Sequence, residues 1–447
     1  MKKIRIEEDM FGAVELPSYV LYGINTYRTV ENLSFSGKTL SRYPEYIKAL
    51  ARVKKAAALA NLESGLLPRS IGNAIVSACD ELISGNHHEH FPVDMLHGGG
   101  GIGTNMNTNE VISNLANKSL GGALGDYAPV HPIDHVNASQ STSDVCHTAI
   151  RLAITEKFPS LRQEIEAVMQ TIFEKVVEFK EVTTIARTCL QDAMRVKVAD
   201  KFSGYEAMLR RRFATLNEAV IPLQKINLGG TVIGSGVGAP KEYRDVIVQK
   251  LCEVTKIQLR HRDNLFDAAQ NIDDLANVST ELRLLASCLI KLAKDLRLLS
   301  SGPEAGFGEI ILPAVQAGSS FFPGKVNPVI PETLIQSCFQ VIGNDRAVEA
   351  TLEHGELDLN VFEGSAATNI FDSMTMLEKT LSSFRENCLK GLKVNEKRCE
   401  NLSNTVIPLV VELKERHGYK AITQLMKETG IDGVKTYFYG GDKIDKN

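Results

Sequence analysis

The sequence predicts a mainly α-helical protein built around long bundled helices, and three observations carry that prediction. Apolar residues recur at intervals of three and four from Asp144 to Lys180, from Ile272 to Ser300 and from Thr333 to Ala350, the spacing that lines one side of an α-helix. Each stretch exceeds the average globular helix of about 12 residues. In Leu282-Arg283-Leu284-Leu285-Ala286-Ser287-Cys288-Leu289-Ile290 the apolar positions occupy more than one face, so this helix needs neighbours all round, as in a bundle buried at a subunit interface. At 447 residues the chain is too long for one small core and is expected to form several lobes. The expected divisions are an N-terminal lobe over 1–142, a central helical-bundle domain over 143–395 and a short C-terminal lobe over 396–447.

Taken in order, residues 1 to about 40 place Gly12, Pro17, Gly23 and Gly37 among short apolar runs, which predicts an extended, strand-poor leading segment rather than a long helix. Helices follow over Tyr46–Ser64, rich in Ala, Lys and Leu, and over Ser70–Ser84, stopping at Gly85. The quartet Gly98-Gly99-Gly100-Gly101 lets other groups approach the backbone, a place where a ligand carboxylate can meet N–H groups. The three long helices come next, the first interrupted only by Pro159. The tail from about Glu396 is polar and mixed, with helices predicted over Leu409–Arg416 and Tyr419–Thr429 before Tyr437-Phe438-Tyr439-Gly440-Gly441-Asp442.

Composition narrows the function. With 50 Lys+Arg against 54 Asp+Glu the formal net charge is -4, which points away from nucleic acid and from an anionic membrane surface and toward a small-molecule partner. No run of about 20 apolar residues is present to span a bilayer, and Met1-Lys2-Lys3-Ile4-Arg5-Ile6-Glu7-Glu8-Asp9 lacks the apolar stretch of a signal peptide; a cytoplasmic location is expected. The eight cysteines (Cys79, Cys146, Cys189, Cys252, Cys288, Cys338, Cys388, Cys399) form no close pair and read as free thiols in a reducing compartment. His87, His88 and His90 flank Glu89 in a run that reads as a polar turn, because no partner ligands follow at metal spacing. No metal or cofactor is expected.

Chemistry concentrates in Gly318-Ser319-Ser320-Phe321-Phe322-Pro323-Gly324-Lys325-Val326-Asn327-Pro328. Gly318 and Gly324 permit positive φ while Pro323 and Pro328 forbid a continuous helix, so this is a shaped loop between two helical regions. There Lys325 as a point charge and Asn327 as a neutral donor can converge on one carboxylate. A solvated loop with a chance Ser-Ser pair is the bland alternative.

This loop resembles the signature of the aspartase/fumarase superfamily: Gly-Ser-Ser, two apolar residues, then Pro-Gly-Lys-Val-Asn-Pro. Further blocks of the same family occur in the right order. They are Gly103-Thr104-Asn105-Met106-Asn107-Thr108-Asn109-Glu110; His131-Pro132-Ile133-Asp134-His135-Val136-Asn137 running into Ser139-Gln140-Ser141-Thr142-Ser143-Asp144; Arg187-Thr188-Cys189-Leu190-Gln191-Asp192-Ala193; and Gly229-Gly230-Thr231-Val232-Ile233-Gly234-Ser235-Gly236 followed by Ala239-Pro240. The resemblance runs from about Arg5 to about Pro408. It implies a mainly α, three-lobed subunit whose long central helices form one bundle shared across a homotetramer. Family members carry more helical residues at the C-terminal end, so a reduced last lobe is expected here.

The same resemblance implies the reaction: a proton leaves a carbon and a leaving group departs from its neighbour, giving an alkene. Carried over position by position, Ser319 matches the base, held as an alkoxide by backbone N–H groups of its loop, and Ser320 its substrate-binding neighbour. Lys325, Asn327 and Thr188 match the grip on the α-carboxylate, Ser141 and Thr142 the hydroxyls for a second carboxylate, and Asn105 lies in the first binding block. A lone serine or threonine is more often a helix cap, and only the co-occurrence of the blocks outweighs that. In this family the three regions come from three subunits.

The departures cluster around the leaving group. Members that deaminate aspartate hold threonine, asparagine and histidine where this chain has Ile102, Ser143 and Cys189. A primary ammonium has three N–H donors to satisfy, which isoleucine cannot do and a thiol does weakly. The usual aliphatic-Met pair of the loop is Phe321-Phe322. Drift in a slow or inactive relative is the bland account, yet the base and carboxylate positions are intact, which also speaks against a purely structural role like that of the family's lens crystallins. The expectation is a carbon–nitrogen lyase with a leaving-group pocket of Ile102, Phe321 and Phe322 and with Ser143 and Cys189 near the substrate. A donor-poor amine fits that pocket, as in the family's ergothionases: a trimethylammonium betaine such as ergothioneine, giving thiourocanate and trimethylamine. The alternative is aspartate giving fumarate and ammonia, or another substituted succinate.

Overall fold

In the computed structural model, which describes residues 3–440, the chain is mainly helical with four two-stranded sheets among the described residues. The helices are α1 (Ile24–Leu33), α2 (Pro44–Glu63), α3 (Arg69–Ile83), α4 (Ile102–Ser119), α5 (Thr142–Glu178), α6 (Val198–Val220), α7 (Lys241–Thr255), α8 (Leu265–Gln270), α9 (Asp273–Leu299), α10 (Val329–Glu353), α11 (Glu363–Phe384), α12 (Glu396–Ser403), α13 (Val406–His417) and α14 (Tyr419–Tyr439). The strands are β1 (Ile4–Asp9), β2 (Gly12–Pro17), β3 (Thr183–Thr188), β4 (Gln191–Lys197), β5 (Lys225–Ile226), β6 (Arg260–His261), β7 (Ile310–Ile311) and β8 (Lys393–Val394). Two compact units divide the chain: the first takes it through Leu161, then Ala214–Leu284 and Gln340–Met376; the second takes Arg162–Phe213, Leu285–Phe339 and the chain from Leu377. Helices α5, α6, α9, α10 and α11 contribute turns to both.

The predicted long helices are present, and α5 runs through Pro159 as a single helix of 37 residues. A proline removes one helix hydrogen bond, and here the flanking Phe158 and Leu161 are buried, so packing keeps the segment helical. In α9 the buried positions Leu275, Val278, Leu282, Leu285, Leu289, Leu292 and Leu296 alternate steps of three and four, the heptad seam of bundled helices.

In the first unit, α2 packs on α3 and α7, and α4 packs on α1 and α3. Proline at the start of α2 suits the one turn whose N–H groups have no helical acceptor. Ile71, Ala74, Ile75, Ala78, Cys79 and Leu82 form the buried stripe of α3. Gly72 sets the closeness of α2 and α3, since a Cβ there would lie 2.4 Å from Leu62 Cδ2.

The leading segment differs from its prediction. Instead of a strand-poor stretch it forms the antiparallel hairpin β1–β2 followed by α1. The turn is made by Gly12 at φ +106 and by Phe11 N donating to Asp9 Oδ1 at 2.8 Å. Helix α1 has no side-chain cap of its own. Its first N–H groups are taken by distant carboxylates: Ile24 donates to Glu7 at 2.9 Å, while Gly23, Asn25 and Thr26 donate to Glu110.

In the second unit, β3 and β4 form a hairpin against α12 and α13, and α13 packs on α14. Leu413, Ile422 and Val434 are the buried core of that pair. The predicted end at Thr429 coincides with a kink in α14 at Gly430, φ +67, beyond which the helix resumes. Gly441 and Asp442 of the tail lie outside the described residues.

Candidate active site

In the first unit the site residues hang on a buried polar helix. Apart from Ile102, which is 47% exposed at its start, the first three turns of α4 are buried, asparagines included. Buried amides need partners, and most of these bond backbone that lacks a ladder. Asn114 receives Gly125 N and donates to Leu21 O, and Asn117 exchanges two 2.8 Å bonds with Val130. Asn105 alone among them reaches a predicted site residue. Its Nδ2 donates to Thr142 Oγ1 at 3.0 Å and to Asn137 Oδ1 at 3.1 Å. With its oxygen accepting, the Thr142 hydroxyl is left to donate its own hydrogen, the polarity a carboxylate ligand requires.

Asn137 Oδ1 also accepts from Lys54 Nζ at 2.9 Å and Asn109 Nδ2 at 3.2 Å. Lys54 is fully buried, and burial brings its pKa down to about 7 against the opposing pull of Cys146, Asp144 and Cys79. Asp144, also fully buried, gathers three backbone donors: Ser141 N at 2.9 Å, Gly229 N at 2.9 Å and Thr231 N at 3.1 Å. One carboxylate thus ties the start of α5 to the glycine-rich block. Burial raises its pKa while those donors oppose the rise. Ser141 Oγ accepts Ser143 N at 3.3 Å, as a cap does, and Ser143 Oγ is buried without a partner.

The second unit carries the rest. Thr188 and Gln191 close the β3–β4 hairpin, so Cys189 and Leu190 form a two-residue turn with φ +52 and +60. Such a turn ordinarily uses Asn or Gly. Both Thr188 and Cys189 are exposed. The loop before α10 is folded on itself: Gly318 N donates to Lys325 O at 2.8 Å and Asn327 Nδ2 to Gly318 O at 2.7 Å. Gly318 is required there, a Cβ lying 2.6 Å from Asn327 N. Ser319 Oγ accepts two backbone N–H groups, from Phe321 at 3.0 Å and Phe322 at 2.9 Å. Ser320 and Lys325 are exposed, and Lys325 Nζ lies 5.9 Å from the centre of the Phe322 ring. Phe321 and Phe322 stack edge to face at 4.8 Å and are 80% and 57% exposed.

Asn105, Thr142, Ser141 and Ser143 therefore form one cluster, and Ser319 to Asn327 another, each within its own unit. Sequence reasoning missed Lys54, Asn137 and Asp144 as parts of the first. Asn137 and Asp144 stand inside the quoted blocks, and Lys54 shares the buried face of α2 with Leu50, Ala57 and Asn61, a position where a lysine is itself a signal. It also missed the group of buried His147, Arg151 and Asp274 with half-buried Glu363. A cavity of about 210 Å³ lined by Gly98–Gly101, Ser143, Cys146 and Glu363 adjoins these residues. A larger open cleft of about 770 Å³ is lined by Arg260, Arg262, Asp263 and neighbours and by no predicted site residue. In the histidine run, His88–His90 is a 3-10 turn, and ligand atoms of His87, Glu89 and His90 lie within 4.8 Å of one another.

Comparison with known proteins finds relatives over nearly the whole chain. A family model described as "Lyase" matches residues 12–343. An aspartate ammonia-lyase of Helicobacter pylori (strain J99) is 43% identical over 425 residues, 95% of this chain and 91% of that protein. One from Escherichia coli (strain K12) is 39% identical over 431 residues, 96% and 90%. Among solved structures, the fumarate lyase:delta crystallin of Brucella melitensis bound to cobalt superposes with a TM-score of 0.95 at 41% identity, covering 98% of this chain and 96% of that one. The class II fumarase of Schistosoma mansoni does so at 0.92 and 29% identity, with 98% and 96% covered.

Proposed function

Since this chain belongs to the lyase family, within the aspartase/fumarase superfamily, and is a carbon–nitrogen lyase of the ammonia-lyase type, we propose that Ser319 is its base and that it expels ammonia from an aspartate-like amino acid. The observation that carries the role of Ser319 is its pair of backbone donors. An ordinary serine hydroxyl is a poor base; two N–H groups on its oxygen, from Phe321 and Phe322, favour the alkoxide. The alkoxide takes the proton from the carbon next to the β-carboxylate. The electrons of that C–H bond become the new C=C bond, and those of the C–N bond leave with the nitrogen. Thr142, with its hydrogen free, and Ser141 hold one carboxylate; Lys325, Asn327 and Thr188 hold the other. On this reading the base and the hydroxyls are brought together from different subunits of a homotetramer.

Aspartate is favoured by the names of the relatives, which cover nearly the whole chain. A second reading rests on Ile102 and Cys189, which leave a primary ammonium with only Ser143 as a good acceptor among the three, and on Phe321-Phe322, whose rings attract a methylated cation at about 1 kcal/mol. It is a trimethylammonium betaine such as ergothioneine. One experiment tests both. Wild type and Ser319→Ala are offered L-aspartate and ergothioneine at equal concentrations while ammonia and trimethylamine are measured. Ammonia release several orders of magnitude above that of Ser319→Ala supports the first reading, and trimethylamine release the second. Near-normal turnover by Ser319→Ala would place the base elsewhere.

A further inference from the structure

The cavity beside the glycine quartet ends on the half-buried carboxylate of Glu363, a charge with no full counterpart. Arg151, wholly buried, spends its fork on Asp274, with Nε to Oδ2 at 2.6 Å and Nη2 to Oδ1 at 2.7 Å, a bidentate pair that neutralises itself. Glu363 receives what remains, Arg151 Nη1 at 3.1 Å and His147 Nδ1 at 2.7 Å, both on Oε1. Burial lowers the pKa of His147, and its Nε2 is buried without a partner, so it serves as a neutral donor. The Glu363 carboxyl is pushed up by burial, and His147 and Arg151 more than reverse that, leaving it below the usual carboxylate value. The group Arg151, Asp274, Glu363 and neutral His147 therefore carries one net negative charge, and Glu363 lines the cavity. A buried charge is stable when paired.

The other walls suit a cation. Ser143 Oγ, on a residue only 7% exposed and without a partner, lines the same space and can accept an N–H. The Tyr46 ring adds a π face, its hydroxyl kept neutral by burial, and burial holds the Cys146 thiol at about 12. His97 engages both ring nitrogens locally, Nε2 accepting Thr104 N at 3.2 Å while Nδ1 faces Gly98 O. Gly98–Gly101 leave the space free of side chains.

We propose that this cavity is a binding subsite for a small monovalent organic ammonium ion, with Glu363 as its counter-ion and Ser143 as a hydrogen-bond acceptor. It rests on the reading that the chain releases an amine: the subsite receives the neutral amine after C–N cleavage, once it has taken up, by way of solvent, the proton removed from carbon and become a cation. Its volume of about 210 Å³ admits an alkylated ammonium as well as ammonium itself.

The test is calorimetric titration of the intact protein, in the Ser319→Ala background, with ammonium chloride and tetramethylammonium chloride against sodium chloride at constant ionic strength. Saturable binding of one organic cation or ammonium per chain is expected, with sodium silent. Glu363→Gln should weaken it at least tenfold. Because that variant also disturbs Arg151, Ser143→Ala is the second probe: its Oγ lines the same space without a partner, so the change removes the acceptor while Glu363 stays intact, and ammonium binding should fall severalfold with the circular dichroism spectrum unchanged. No preference for either ammonium over sodium, or wild-type ammonium binding by folded Ser143→Ala, overturns the proposal. Since binding is read without turnover, a failure of Ser319 as base leaves this result unaffected, and lyase turnover without cation binding sinks the subsite alone.

Discussion

Lys54→Met isolates what it costs to hold an ammonium against the Asn137 side-chain oxygen. The side chain is fully buried, and its Nζ meets Asn137 Oδ1 at 2.9 Å. Burial moves its pKa from 10.5 to about 7, a shift equivalent to about 5 kcal/mol. The sign follows from linkage. Between pH 7 and 10.5 the unfolded lysine holds a proton that the folded one has lost, so stability rises with pH across that window by about 1.4 kcal/mol per unit. The penalty is fully present below pH 7 and gone above 10.5. Methionine has similar length and no proton; it loses one hydrogen bond, worth about 1 kcal/mol, while Asn105 and Asn109 still serve the Asn137 oxygen. The variant should therefore be the more stable protein at pH 6, by about 4 kcal/mol, and the advantage should vanish toward pH 10. Urea unfolding of both proteins at one fixed subunit concentration, from pH 6 to pH 10, measures the difference directly. A difference that does not change with pH would refute the argument, because it would mean that Lys54 keeps its proton through a partner or a water path.

Asp144→Asn should melt earlier and raise KM without abolishing kcat: an amide cannot accept at both ends, so at least one of Ser141 N, Gly229 N and Thr231 N is left unpaired in the interior, at about 1–3 kcal/mol each. An unchanged melting temperature would show that the carboxylate does not anchor the start of α5. Gly234→Ala should fail to fold, its Cβ falling 2.3 Å from the Leu265 backbone, whereas Gly121→Ala, with nothing within 4 Å, should bear only the cost of its positive φ, about 1–2 kcal/mol; equal yields and melting temperatures for the two would overturn the steric account.

The sequence announces whatever is repeated or local. The long helices were readable because α9 spaces its leucines by three and four along one seam, and the Ser319 loop because its glycines, prolines and polar residues stand within eleven consecutive positions. What it conceals is settled by partners far along the chain. Helix α1 starts at a glycine with no capping side chain, since Glu110 and Glu7 supply the acceptors. Glu363 lies more than 200 residues from the histidine and arginine that hold its charge. Lys54 looks like one more lysine of a helix until its face of α2 is seen to be the buried one.

The β3–β4 hairpin was hidden for another reason, and that reason bears on function. Its turn is Cys189-Leu190, neither a residue that favours φ above zero, yet both adopt it, at +52 and +60. Each such conformation costs about 1–2 kcal/mol for a residue with a side chain. Asparagine and glycine would form the same turn with less strain. The penalty falls next to Thr188 and on Cys189, two positions that the proposed function places near substrate. Fold stability alone gives no reason to keep a strained, exposed Cys-Leu pair at this tip. The proposed contact of this turn with substrate would supply one, because side chains fixed by what they bind leave the backbone to accommodate them.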